Sequence, residues 1–165
     1  MAGLPGTGKT ALANALAART GGRIVSKDEI RHELFATEEI EYSSRQDDFC
    51  QQAMLDLAGY LLGQNPQRYI FLDGRTFSRR YQIENVLNAA ASLNQSWRIL
   101  ECVCDEATAK SRLAYAAETH PAGNRDFQLY HEVRSRHEAI ILPKTVINTD
   151  EHLEICVERA LVALR

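Results

Sequence analysis

Gly3-Leu4-Pro5-Gly6-Thr7-Gly8-Lys9-Thr10 is the stretch that decides how this 165-residue chain is read. It fits the pattern Gly-x-x-x-x-Gly-Lys-[Ser/Thr], in which a glycine-rich turn brings backbone N–H groups close to phosphate oxygens. The turn should feed a helix whose N-terminal amides and dipole favour anions. Ala11 to Arg19 supplies that helix: it is rich in Ala and Leu and free of Gly and Pro. On this reading Gly3, Pro5, Gly6, Thr7, Gly8, Lys9, Thr10 and Ala11 bind a nucleotide, ATP being expected. Lys9 reaches its β- and γ-phosphates, and the Thr10 hydroxyl ligates Mg²⁺. A loop of this kind follows a buried strand of roughly five residues. Only Met1 and Ala2 precede Gly3. The strand is therefore expected to lie upstream of the chain as given. The sheet should lack it between the Arg23–Ser26 side and the Lys144–Asn148 side, beside Tyr69–Leu72, and Leu12 and Leu16 should then anchor the loop through its helix.

Composition bounds the rest. The chain is 45% hydrophobic and 25% charged, ordinary for one globular domain spanning 1–165. Its net charge is −3, with no run of Lys or Arg, which argues against an extended nucleic-acid surface. Cys50, Cys102, Cys104 and Cys156 show no metal or redox spacing and read as reduced thiols of a cytoplasmic protein. The five histidines likewise lack ligand spacing. No stretch reads as a signal peptide or a membrane span. A monomer is expected.

Past Gly21-Gly22, Arg23–Ser26 reads as a strand and Ser26 as a helix cap, with Glu29 as its capping-box partner. The helix should bury Ile30, Leu34 and Phe35, while Asp28 and Arg31 share its first turn. Ser43 or Ser44 should cap a helix through Leu62 with Phe49, Ala53, Leu57, Tyr60 and Leu61 on its apolar face. Tyr69–Leu72 reads as a doubly buried strand stopping at Asp73-Gly74. A helix over Arg80–Leu93, a strand over Trp97–Cys104, a helix from Asp105 to about Tyr115, a charged helix from Phe127 to about Ile140, a strand over Lys144–Asn148 and a helix over Leu153–Leu164 complete the chain. Strands alternating with helices predict a three-layer α/β/α fold with a mainly parallel, doubly wound sheet. Ligands then bind outside the carboxyl ends of the strands, where Ser26 to Asp28, Asp73, Asp105 and Thr149 fall.

Taken together, residues 3–10, Ser-Lys-Asp-Glu-Ile-Arg (26–31), Phe-Leu-Asp-Gly (71–74), Cys-Asp (104–105) with Arg112, and Ile-Asn-Thr-Asp (147–150) resemble the P-loop kinase-like proteins of the AAA type. These include zeta-toxin-like, chloramphenicol-phosphotransferase-like and polynucleotide-kinase-like phosphotransferases. The resemblance implies that Asp28 is the general base on an acceptor hydroxyl and that Arg31 holds the acceptor. It implies that Asp73 holds Mg²⁺ with Thr10, and that a lid at about 112–126 offers Arg112 or Arg125 to the phosphates. Arg134 and Arg136 are weaker lid candidates. Arg75 and Arg79, just past Asp73, are candidates for the acceptor, a small molecule or a strand end. The expected activity is transfer of the γ-phosphate of ATP to a hydroxyl. A nucleotide-hydrolysing switch and a nucleotide-binding relic remain open beside it; the Asp28/Arg31 pair favours the transferase, since a switch needs a water-orienting group and not an acceptor clamp.

Overall fold

A computed structural model describes residues 1–116 and 127–165; the part of the expected lid beyond 116, with Arg125, lies outside the described residues. The chain alternates as read: α1 (Lys9–Thr20), β1 (Arg23–Ser26), α2 (Lys27–Leu34), α3 (Ser44–Gln64), β2 (Ile70–Asp73), α4 (Arg80–Ser92), β3 (Leu100–Val103), α5 (Glu106–Ala116), α6 (Phe127–Ser135), β4 (Thr145–Asn148) and α7 (Leu153–Leu164). β1 pairs parallel with β2, Ser26 opposite Asp73, and β3 pairs parallel with β4, Val103 opposite Asn148. Met1 and Ala2 lie between the two pairs. The Ala2 amide donates to the Leu100 carbonyl and the Cys102 amide to the Ala2 carbonyl, both at 2.8 Å. The Met1 amine donates to the Leu72 carbonyl at 3.0 Å. The position expected for the strand ahead of the loop, between β2 and β3, is thus bridged by this dipeptide, in parallel register with Glu101.

Two apolar layers sandwich the strands. Leu12, Ala13 and Leu16 of α1 meet Phe71, Leu100, Cys102 and Ile147 of the strands and Cys156, Val157 and Ala160 of α7. Leu12 and Leu16 are fully buried there, the anchoring role expected of them. On the opposite face Ala2 packs with Phe77, with Ile83 of α4 and with Ile140. Burial of this order, at about 25 cal/mol per Å² of apolar surface, is what orders strands of only four residues each.

Local signals set the element ends. The Ser26 hydroxyl accepts from the Glu29 amide at 3.3 Å, and Ser43 caps α3 by accepting from the Gln46 amide at 3.1 Å. Strand β3 begins at Leu100, not Trp97, and α6 ends at Ser135, short of Ile140.

Two expected faces are corrected. Helix α2 buries Lys27, Asp28 and Arg31, while Leu34 is exposed and Ile30 and Phe35 are half-buried. Helix α3 buries Gln46, Cys50, Gln51, Met54, Leu55 and Ala58, leaving Phe49, Leu57 and Tyr60 exposed. The physical reason is close packing: α3 lies against α2, β1 and α4, and Cys50, Met54 and Ala58 admit a nearer approach than the ring-bearing stripe one residue earlier. Phe49 instead meets Phe35 edge-on, centroids 5.6 Å apart, at the outer end of the α2/α3 contact.

Candidate phosphotransfer site

The loop of residues 3–8 closes on itself between β3 and α1. Gly3, Gly6 and Gly8 all take positive φ, 131°, 78° and 75°. A Cβ on Gly3 would stand 2.3 Å from the Cys102 carbonyl oxygen, so only glycine lets the loop leave the sheet here. Gly8 is the N-cap of α1 and α1 has no side-chain cap, which leaves its first-turn amides for an anion. Thr7 donates its hydroxyl to the Leu4 carbonyl at 2.8 Å. Lys9, 5% exposed, arches back over the loop and donates to the Gly3 and Leu4 carbonyls, both at 2.8 Å.

Thr10 and Asp73 come together although 63 positions apart: the Thr10 hydroxyl donates to Asp73 Oδ2 at 2.7 Å. Asp73 is 2% exposed, and its other oxygen, Oδ1, is buried without a hydrogen-bond partner among the described residues. A hydroxyl and an orphaned carboxylate oxygen beside a phosphate loop form a hard, oxygen-only donor set. That fits Mg²⁺, which shares its shell with phosphates and water. Among the described residues no cluster of three or more His, Cys, Asp or Glu forms an all-protein metal cage.

Beyond the loop, a cavity of about 300 Å³ is lined by Lys9 and Thr10 on one side and Asp28, Arg31 and Arg75 on the other. Asp28 is 6% exposed; Lys27 Nζ lies 3.4 Å and Arg31 Nη1 3.6 Å from its Oδ1. Lys27 also donates to Asp47 Oδ1 at 2.7 Å, and Arg31 bonds the same oxygen. Arg75 donates to the Asp47 carbonyl at 2.7 Å and to Asp48 Oδ1 at 2.5 Å. Burial opposes ionisation of Asp47, but Lys27, Arg31 and Arg75 outweigh it and hold its carboxyl below the usual carboxylate range. Gly74, φ 85°, passes so close to the start of α2 that a Cβ would lie 3.1 Å from the Lys27 amide nitrogen. The turn after β2 and the start of α2 are thereby pressed together, with Ser26 opposite Asp73 in the strand register.

The expected site residues are sorted by this geometry. Pro5, Lys9, Thr10, Asp28, Arg31 and Arg75 share one cavity, and Arg79 and Arg136 border it. Arg112 does not line it. Arg112 donates from Nη1 to the Thr149 hydroxyl at 2.9 Å and from Nη2 to the Thr149 carbonyl at 2.6 Å, beside Gly8. The Thr149 hydroxyl in turn lies 3.1 Å from the Thr7 carbonyl, tying the loop to the end of β4. Arg134 pairs with Glu106, away from the cavity. Lys27 falls in the Ser26 to Asp28 stretch expected at the ligand end, whereas Asp47, Asp48 and Tyr42 are participants that the sequence did not single out; an acidic pair inside a predicted helix carries no signal that it faces a site. Burial pushes the four thiols up, Cys102 to about 11, which disfavours their reactive thiolate forms.

The AAA domain family designated AAA_33 matches residues 1–149. Curated proteins gave no match. Among solved structures, the Mycobacterium tuberculosis APS kinase CysC in complex with AMPPNP and APS is 14% identical, with a TM-score of 0.74 over 99% of this chain and 94% of that one. A sugar kinase from Janibacter sp. HTCC2649 is 20% identical, TM-score 0.71, covering 98% and 90%. Chaetomium thermophilum Kti12 in complex with ADP-AlF3 is 13% identical, TM-score 0.67, covering 99% and 97%. At such identities the likeness speaks for the fold, and the match over residues 1–149 shows the family: the chain belongs to the AAA domain family.

Proposed function

We propose that this protein transfers the γ-phosphate of ATP to a hydroxyl group of an acceptor bound in the cavity. One observation carries the reading: the phosphate-loop residues Lys9 and Thr10 and the acid Asp28 line the same cavity. The loop amides and Lys9 bind the phosphates, and for this Lys9 leaves the Gly3 and Leu4 carbonyls. Thr10 and Asp73 would hold Mg²⁺, which when bound neutralises charge on the phosphates being parted. Asp28 accepts the proton of the acceptor hydroxyl, and Lys27 and Arg31 fix its carboxylate in place. Arg31 and Arg75 orient the acceptor. A cavity of about 300 Å³ shared by the phosphate loop and the acid supports an organic acceptor over a hydrolysing switch, which needs room for one water. The fold likeness to an APS kinase and a sugar kinase supports the same reading.

Incubation with γ-labelled ATP and Mg²⁺ over a panel of hydroxyl acceptors tests it. Label should move to an acceptor in wild type and not in Lys9→Ala. ADP release that no acceptor accelerates, with label only in inorganic phosphate, would overturn the proposal in favour of a hydrolysing switch.

A further inference from the structure

Glu138 lies outside the cavity and yet joins two of its walls. One wall is the turn after β2 with the start of α4, where Ser78, Arg79 and Gln82 line the cavity. Another is α6 with the turn that ends it, where Val133 and Arg136 line it. The Arg136 amide donates to the Val133 carbonyl and the His137 amide to the Arg134 carbonyl, both at 3.3 Å, and this turn delivers Glu138 to the first wall. The Glu138 amide donates to the Ser78 carbonyl at 2.9 Å. Its Oε2 accepts from the Arg80 amide at 2.7 Å, and its Oε1 from Arg79 Nη1 at 3.0 Å. Two residues on, Ile140 is buried with Phe77 and Ile83. An exposed ion pair alone is weak, and the side chains of Arg79 and Glu138 are both half-exposed. The bond to the Arg80 amide is of another kind. Arg79, the N-cap of α4, makes no side-chain cap bond, and the Glu138 carboxylate stands at the positive end of that helix in its place. The bond from the Arg80 amide, and then that from Arg79, hold the Glu138 carboxyl below its usual value. A nine-residue helix such as α6 is not stable by itself and takes its place from what it is tied to. Tyr130 ties it to Ala109 and Leu113 of α5, and Arg134 pairs with Glu106. Glu138 supplies the tie to the start of α4.

We infer that Glu138 is a positioning residue: by bonding Ser78, Arg79 and Arg80 at once it fixes α6 against the start of α4 and so sets the width of the cavity that receives the acceptor. It touches no reacting atom. It acts through Val133 and Arg136 on one wall and through Ser78, Arg79 and Gln82 on the other. The word acceptor rests on the phosphotransfer reading; the clamp itself is read from the geometry.

Two measurements on the full chain test it. The first is hydrogen exchange read by mass spectrometry, with no acceptor present. In Glu138→Ala the amides of residues 129–140 and 80–83 should exchange about 10-fold faster than in wild type, as for a lost helix cap, while those of α1 stay unchanged. Glu138→Gln keeps an oxygen for the Arg80 amide and should fall between the two. The second is transfer from γ-labelled Mg-ATP to glycerol, gluconate and adenosine as probes. For each probe that takes label in wild type, Glu138→Ala should raise KM about 10-fold with kcat within about 3-fold, and Mg-AMPPNP affinity by calorimetry should stay within about 2-fold. Unchanged exchange at 129–140 would overturn the inference. So would faster exchange spread evenly into α1, which marks a general loss of stability. Faster exchange at 129–140 with an unchanged KM would reduce Glu138 to a structural tie and overturn it as well. Label appearing only in inorganic phosphate would sink the phosphotransfer reading, and the clamp would then stand or fall on the exchange pattern alone.

Discussion

The hydroxyl of Thr10 donates to Asp73 across 2.7 Å, tying the first turn of α1 to the last residue of β2. Two elements that never neighbour in sequence thus present one hydroxyl and one carboxylate to the same point. The carboxylate oxygen not used in this bond is the orphan buried beside it.

Asp73→Asn should keep the bond from Thr10, because the amide still offers an oxygen, but remove the charge that draws a divalent cation. Affinity for Mg-ATP should fall about 10–100-fold, with metal-free ATP binding changed little. Calorimetry in Mg²⁺ and in EDTA checks this; equal losses in both would mean that Asp73 shapes the loop and does not serve a metal.

Lys9→Ala should do two things at once. Nucleotide binding should become undetectable. The protein should also lose about 1–2 kcal/mol, a melting shift of about 2–6 °C, since the Gly3 and Leu4 carbonyls lose a charged donor. Unchanged ATP affinity would refute the phosphate-loop assignment, and an unchanged melting temperature would show that the two carbonyls find water at no cost.

For Asp28→Asn, ATP affinity should stay within a few-fold while transfer to the acceptor falls about 10²-fold or more, as for a lost general base. Single-turnover kinetics decide it. Transfer near the wild-type rate would reduce Asp28 to a counter-ion for Lys27 and Arg31.

At Gly74 a methyl group meets two obstacles, a φ of 85° and the Lys27 and Asp28 amide nitrogens at 3.1 and 3.2 Å. Gly74→Ala should cost about 1–3 kcal/mol and push the start of α2 away from β2. Transfer should drop about 10–100-fold with ATP affinity nearly intact, because the acid moves and the phosphate loop does not. Matching wild-type transfer would show that this close approach is incidental.

Asp47 gives a pH signature. Its folded pKa lies below the ordinary value of 3.8, so its ion pairs stabilise the protein above about pH 4 and are lost as pH falls through the folded value. Asp47→Asn should be less stable than wild type by about 1–3 kcal/mol at pH 7, since it removes one of the two anions, Asp28 and Asp47, that Lys27 and Arg31 share. The gap should begin to narrow below about pH 4. Denaturant melts at pH 7 and pH 3 measure it; a gap of constant size would place the loss in packing and not in charge.

How far the sequence reached depends on the range of each interaction. Residues 3–10, the helix behind them, the Ser26 cap and the acid at the end of β2 were legible, because turn geometry, capping and hydrogen bonding act within a few positions. Alternation of strands with helices sufficed for the fold class. The inward faces of α2 and α3 were misread. Hydrophobic periodicity ranks stripes by polarity, and α2 turns its charged stripe inward because Asp47, sixteen positions beyond Arg31, neutralises it there. Arg112 and Arg136 look alike in sequence, each a charged helix-side residue. Only packing sends Arg112 to Thr149, thirty-seven positions on, and sets Arg136 at the cavity. Burying a charge is tolerable only where a partner waits, and the partner's place is a property of the assembled sheet and helices, which no local window of sequence contains.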